Sequence, residues 1–360
     1  MNSLLDLLNS DIDPDFAKMS LPTLLPEISK IINEIGYLNL DYKIETTFSS
    51  NRSWAPICAD IDHINIKFEE LNYTINIPSY FEFKERLTND QPFSIIRWTH
   101  GLWDHLYTLD VIRKLLNNKL KNSSASDDVI LALANRICAI LFPKIGAFAN
   151  GFSSEIINDL ENLSFSHNVY HSVAFKGYPT QDEKIFNVKK VLPNHLGRLA
   201  LFTKYFKPQN PIYDSNFYKR WVISGLGKEI PDLIRNRNVI LIANDLFNDL
   251  NCRWNLKRSF THIQIDRGMS QRFRNQILER CREAINRTIM PNSLSPIVLF
   301  QAGSLAPWLI SRLYKDYPNA FYIDMGQALN FWFMDKAELL RAHWMQVYKP
   351  VLLSHMQSNS

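Results

Sequence analysis

The stretch PIVLFQAGSLAPWLISRLYKDYPNAFYIDMGQALNFWF, residues 296–333, reads as strand, helix and strand in succession. Residues 297–300 are a short apolar run of the kind that fills a strand buried on both faces. They lead into Gln301-Ala302-Gly303, where such a strand must turn. Ser304 stands in position to cap a helix. Residues 305–314 carry Leu305, Leu309, Ile310 and Leu313 at helical spacing, and Pro307 falls in the first turn, where its missing N–H has no partner to lose. Residues 316–319 end that helix, and 320–323 form a second strand that delivers Asp324 at its carboxyl end.

Ligands of open α/β sheets bind beyond the carboxyl ends of the strands, where a glycine lets the backbone approach a phosphate and a helix N-terminus offers free N–H groups. An acid about 20 residues after that glycine is placed to hold a ribose hydroxyl. Gly303 and Asp324 stand in this relation. The full G-x-G-x-x-G fingerprint is absent, so a plain strand-to-helix turn with Asp324 as a local cap accounts for the same residues.

Working outward, FSIIRW (93–98) is a second apolar strand. It enters a segment with Leu102, Leu106, Leu109, Ile112 and Leu116 at helical spacing, which puts Gly101 at the junction. NVILIA (238–243) is another buried strand, with Asn244 and Asp245 at its end, and 259–265 is a further one closing on Asp266. Helices are expected over 81–87, 129–142, 217–223, 231–234, 269–289 and 335–353. Residues 1–35 read as two amphipathic helices split around Pro14 and 20–26. Alternation in HINIKF (63–68) and in 73–77 predicts a hairpin at the edge of the sheet. The aromatic and polar mixture over 154–220 otherwise places few elements.

Strands alternating with helices imply an α/β fold: a Rossmann-like, mostly parallel sheet flanked by helices, with an N-terminal helical segment and a β-hairpin elaboration. The expected divisions are 1–90 for the N-terminal helices and hairpin, 91–334 for the Rossmann-like domain, and 335–360 for a C-terminal helix and tail.

Composition narrows the function. With 360 residues, 46% hydrophobic and 21% charged, the chain can bury a full core. The four cysteines are far apart and form no C-x-x-C pair, which suggests neither a zinc site nor a disulfide framework. A net charge of +4 is too mild to demand nucleic acid. The start lacks the basic region of a signal peptide, and the uncharged run between Arg287 and Arg312 is broken by Pro291, Pro296 and Pro307. A soluble, cytoplasmic protein is the expectation.

Around Gly101, the junction Arg97-Trp98-Thr99-His100-Gly101-Leu102-Trp103-Asp104-His105 gathers polar groups. Helix N-terminal amides beside Thr99 and His100 would cradle a phosphate or carboxylate, and Arg97 could neutralise it. His100 and Asp104, four apart, are a candidate base with its orienting carboxylate or two metal ligands. Alternatively Thr99 caps, Asp104 favours the helix start and His105 is solvated. The arginines of 267–287 could grip a diphosphate, or form a solvated face relieved by Glu279 and Glu283. His167 and His171 lack the context of a zinc site, and the aromatic residues of 202–221 fit a sugar groove or, more commonly, a core.

The order of these pieces resembles the GT-D type of glycosyltransferase, a bacterial-type family that uses nucleotide sugars. FSIIRWTHGLW (93–103), NVILIAND (238–245), and IVLFQAGSLAPWLISRL with AFYIDMGQALNFWF (297–333) carry the resemblance. Family members look like R-F-G-D-G-E-F at the first, a hydrophobic strand at the second, and a strand ending in A-G followed by I-D-x-G at the third. The match spans 93–334, with 120–230 poorly matched. It implies transfer of a sugar from a nucleotide sugar to a glycan or glycoconjugate acceptor, as in polysaccharide biosynthesis.

In that family the D-x-E of the first segment binds a divalent metal with the sugar nucleotide. Here His100 and Leu102 occupy those positions, and a leucine cannot ligate Mg²⁺ or Mn²⁺. A metal-independent transferase, a site rebuilt around Asp104, and a fold retained without the reaction all stay open. On the transferase reading, Arg97, Thr99, Gly101, Gly303 and Ser304 hold the diphosphate, Asp324 holds the ribose, and His100, Asp104 or Asp245 deprotonates the acceptor. The alternatives are a noncatalytic nucleotide-sugar or glycan-binding domain of a larger assembly and a Rossmann-type methyltransferase. Peripheral membrane association or an assembly partner also fits a glycan-building role.

Overall fold

A computed structural model describes residues 63–68, 71–76, 78–98, 154–173, 202–215, 226–265, 273–289 and 293–333. It also describes the strand at 45–47, Trp221 and scattered positions between 102 and 135. In chain order the elements are β1 (Glu45–Thr47), β2 (His63–Phe68), β3 (Leu71–Asn76), α1 (Tyr80–Thr88), β4 (Ser94–Trp98), α2 (Ser154–Glu161), β5 (Val169–Val173) and β6 (Ile212–Asp214). Then follow α3 (Ile230–Ile234), β7 (Val239–Ala243), α4 (Leu250–Arg253), β8 (Phe260–Gln264), α5 (Arg274–Thr288), β9 (Ile297–Phe300), α6 (Ala306–Asp316) and β10 (Phe321–Asp324).

The strands form one sheet in the order β1-β2-β3-β6-β5-β4-β10-β9-β7-β8. From β3 to β8 every neighbouring pair is parallel, while β1, β2 and β3 are joined antiparallel at one edge. The expected α/β architecture with a mostly parallel sheet is therefore what the chain adopts. The hairpin stands at the edge, and its inner strand enters the parallel run by pairing Ile75 with Ile212.

Every residue of β4, β5, β7, β9 and β10 is buried. In β7 and β9 this goes with a continuous apolar run, since a strand covered on both faces has no solvent side to mark with polar residues. Alternate side chains divide between two cores. Ile240, Ile242, Val298, Phe300 and Tyr322 face a cluster built with α2, α5 and α6. Val239, Leu241, Ile297, Leu299, Phe321 and Ile323 face a second cluster built with α1, α3 and α4.

The amino ends of the strands are tied together by a buried cation. Arg237, 3% exposed, donates to the carbonyls of Leu87 and Ser295 at 2.6 and 3.0 Å and pairs with Asp90. Asp90 in turn accepts from the backbone N–H of Ser295. Three segments that enter β4, β7 and β9 are thus fixed to one guanidinium.

Some local expectations are corrected. Ser304 does not cap α6; a 3-10 turn over Gly303–Leu305 precedes the helix, whose N-cap position is Leu305 with no side-chain hydrogen bond. Pro307 does fall in the first turn. The stretch 154–220 holds α2, β5 and β6, hidden in sequence because β5, VYHSV, carries polar residues inside a buried strand. The helices expected over 1–35 and 335–353 lie outside the described residues, as do most of 129–142 and of 217–223. Among the described residues no helix is long and apolar enough to cross a membrane.

Candidate functional site

The carboxyl end of β10 is where the chain parts to opposite faces of the sheet. After β4, Leu102, Trp103, Leu106 and Leu109 join the core of α2, α5 and α6, and after β9 so do Leu305 and α6. After β10, which lies between those two strands, Met325, Ala328 and Leu329 join the other core. Loops that diverge in this way leave a crevice at the strand ends, the usual ligand position in open α/β sheets. Because β4, β10 and β9 are parallel, β4 and β9 end at the same edge, on either side of β10.

Asp324, the last residue of β10, lies at that strand end and is only 2% exposed. Its Oδ1 accepts the backbone N–H of Gly326 at 3.1 Å, and its buried Oδ2 has no hydrogen bond among the described residues. Burial pushes the carboxyl up from 3.8 to about 7, against the opposing pull of the Arg97 guanidinium and the backbone amides of Gly326 and Arg97. An acid held near neutrality and short of a partner can either accept from or donate to a ligand hydroxyl.

Arg97 reaches the same place from the adjacent strand β4. It is 5% exposed, and its Nε donates to the Ser215 carbonyl, just past β6, at 3.2 Å. Its terminal nitrogens lie against Gly326, in the turn that follows β10. A cation and an acid from neighbouring parallel strands thus both border the turn at Gly326, where the chain changes direction.

Other expected residues are distributed around this pair. Gly303 is exposed, with a positive φ of 57°, and Ser304 is half-buried, both in the turn after β9. Asp245 is exposed in the turn after β7. Two strand spacings separate β7 from β10, so Asp245 shares the edge with Asp324 but is displaced sideways by about 10 Å. Thr99, His100, Gly101 and Asp104 lie outside the described residues.

Three neighbours were not singled out in the sequence as site residues: Ser215, Gly326 and Gln301. Gln301, at the end of β9, donates through Nε2 to Asn330 Oδ1 at 2.7 Å, and its Oε1 has no hydrogen bond among the described residues. Gly326 did have a signal, the glycine of I-D-x-G. Ser215 had none, because it contributes a backbone carbonyl brought close by β6.

Several alternatives resolve toward structure. Arg282 pairs with Asp316 and Glu279, and Arg287 with Glu283, so these arginines make a paired surface face. His171 is buried in β5; its Nδ1 accepts from Trp98 Nε1 at 3.4 Å and its Nε2 lies 2.8 Å from the Ser164 carbonyl. Burial lowers its pKa to about 4. Phe202, Tyr205 and Phe206 pack against Trp98 and Trp103 within the core.

Leu102, which stands where the resembled family has its second metal-binding acid, is 0% exposed and belongs to the core. The residues here therefore do not fit that metal site. Among the described residues no group of three His, Cys, Asp or Glu side chains is placed to hold a metal ion. Set against family models, curated proteins and solved structures, the chain finds no match.

Proposed function

We propose that this protein is a glycosyltransferase that moves a sugar from a nucleotide sugar to a glycan or glycoconjugate acceptor. The reading is carried by one observation: Arg97 and the partner-poor carboxyl of Asp324 stand on adjacent parallel strands where the chain departs to opposite faces. Arg97 offers charge to the diphosphate of the donor, with the turn at Gly303 and Ser304 and the segment at Thr99 and Gly101 as the remaining phosphate contacts. Asp324 takes a hydroxyl of the ribose. No step is routed through a metal.

In the transfer, the acceptor oxygen bonds to the anomeric carbon as the bond from that carbon to the diphosphate oxygen breaks. The electron pair leaves with the diphosphate, whose growing charge Arg97 opposes. The acceptor proton passes to a base, for which His100, Asp104 and Asp245 are the candidates. Cys252 and Cys281 are free thiols, in keeping with work in the cytoplasm.

The test is thermal shift with UDP, GDP and S-adenosyl compounds, with and without Mn²⁺, followed by turnover of nucleotide sugars. Stabilisation by a nucleoside diphosphate and turnover lost in Arg97→Ala support the proposal. Binding without turnover points to a noncatalytic nucleotide-sugar binder within a larger assembly. Stabilisation by adenosyl compounds alone retires the sugar reading in favour of a methyltransferase.

A further inference from the structure

Two glycines among the described residues have positive φ, Gly303 at 57° and Gly326 at 46°. Their surroundings differ. A methyl group built on Gly303 meets nothing within 4 Å, whereas one on Gly326 would lie 1.7 Å from Arg97 Nη1 and 3.0 Å from Cζ. The guanidinium is not free to swing aside, because it is buried and its Nε is held by the Ser215 carbonyl. The N–H of the same Gly326 holds Asp324 Oδ1.

We infer that Gly326 is the positioning residue of the candidate site: its missing side chain admits the Arg97 guanidinium, and its amide orients the Asp324 carboxyl. One residue thereby sets the placement of the cation relative to the acid. The placement is a property of the free protein; its consequence for a nucleotide ligand rests on the function proposed above. Both glycines carry backbone that an L side chain rarely adopts, so Gly303→Ala is an internal control for strain. Only Gly326→Ala adds displacement of Arg97.

The experiment follows the Asp324 carboxyl by NMR in ligand-free full chain labelled at aspartate, with the signal assigned by its loss in Asp324→Asn. Among the described residues the charged side chain acting on Asp324 is Arg97, which pulls its titration down. Gly326→Ala is expected to raise the midpoint by on the order of one pH unit, as Arg97→Ala does, and Gly303→Ala to leave it in place. In the Arg97→Ala background, adding Gly326→Ala should shift it no further.

Should Gly326→Ala alone fail to fold, the double variant is expected to fold, since the group it collides with is gone. Equal midpoints in wild type and Gly326→Ala overturn the inference, as does an undiminished shift in the double variant or a double variant that also fails to fold. Titration with UDP and GDP separates this outcome from the function. A wild type that binds neither retires the transferase reading and leaves the positioning of Arg97 to be judged by the carboxyl alone; if it binds, Gly326→Ala should weaken binding about tenfold or more.

Discussion

Gly326 donates its backbone N–H to one oxygen of Asp324 while the other oxygen, which is buried, has no hydrogen-bond partner among the described residues. The carboxyl is therefore tolerated mainly in its neutral form, with a pKa raised from 3.8 to about 7. A carboxyl whose folded pKa exceeds its unfolded value contributes stability that is complete below about pH 4 and is lost as pH rises through 7. Asp324→Asn removes this loss. It should be more stable than wild type near pH 8 by on the order of 3 kcal/mol and nearly equal to it near pH 4, read as urea midpoints. Equal midpoints at both values would count against the perturbed carboxyl.

His171 works in the opposite sense. Burial lowers its pKa from 6.5 to about 4, so it is neutral in the fold and protonates more readily in the unfolded chain. Its stabilising share is present above pH 6.5 and declines toward pH 4, by roughly 3 kcal/mol over that window. The two slopes oppose each other, and together they flatten the wild-type profile. His171→Gln should expose the Asp324 slope, with stability that rises steadily from pH 7 to pH 4; an unchanged profile would contradict this.

The Arg237 knot at the amino ends of β4, β7 and β9 is on the edge opposite the crevice. Arg237→Met removes the guanidinium donors from the carbonyls of Leu87 and Ser295 and leaves Asp90 without its cation. A loss of roughly 3 kcal/mol is expected, measured by chemical denaturation. Nucleoside diphosphate affinity of the remaining folded protein should stay within about twofold of wild type, because the two edges are separated by the length of the strands.

Asp159 on α2 bolts that helix to α6. It accepts from Trp308 Nε1 at 2.9 Å and from Arg312 Nε at 2.6 Å. Asp159→Ala leaves a buried indole N–H without its acceptor and should cost about 2 kcal/mol, seen as a lower urea midpoint. Arg312 retains Glu155, which limits the loss.

Arg97→Lys keeps the charge but not the planar fork, and its single ammonium cannot hold the Ser215 carbonyl and face a diphosphate together. Binding of UDP or GDP should weaken about tenfold, less than in Arg97→Ala. Isothermal titration at matched ionic strength would show it, and equal affinity for the lysine variant and wild type would contradict a forked phosphate contact.

The strand-helix-strand unit at 296–324 was legible because a strand covered on both faces reads as an unbroken apolar run, and 93–98 and 238–243 announced themselves in the same way. The β5 strand did not: His171 and Ser172 are polar, and their burial is tolerated through partners such as Ser164 and Ile96 that only the folded chain brings near. The place of Ser304 after a glycine is a cap signal, but the backbone takes a 3-10 turn there and begins α6 two residues later.

By itself the sequence determined that this chain builds a mostly parallel sheet with helices on both faces, and that Asp324 ends one of its strands, since both follow from local apolar patterning. Tertiary structure alone decided that β10 lies between β4 and β9, and so that Arg97, more than two hundred residues earlier in the chain, acts on Asp324. Strand order is a matter of long-range pairing, which leaves no periodic mark in the residues, and the same is true of the space that Gly326 keeps open for a guanidinium.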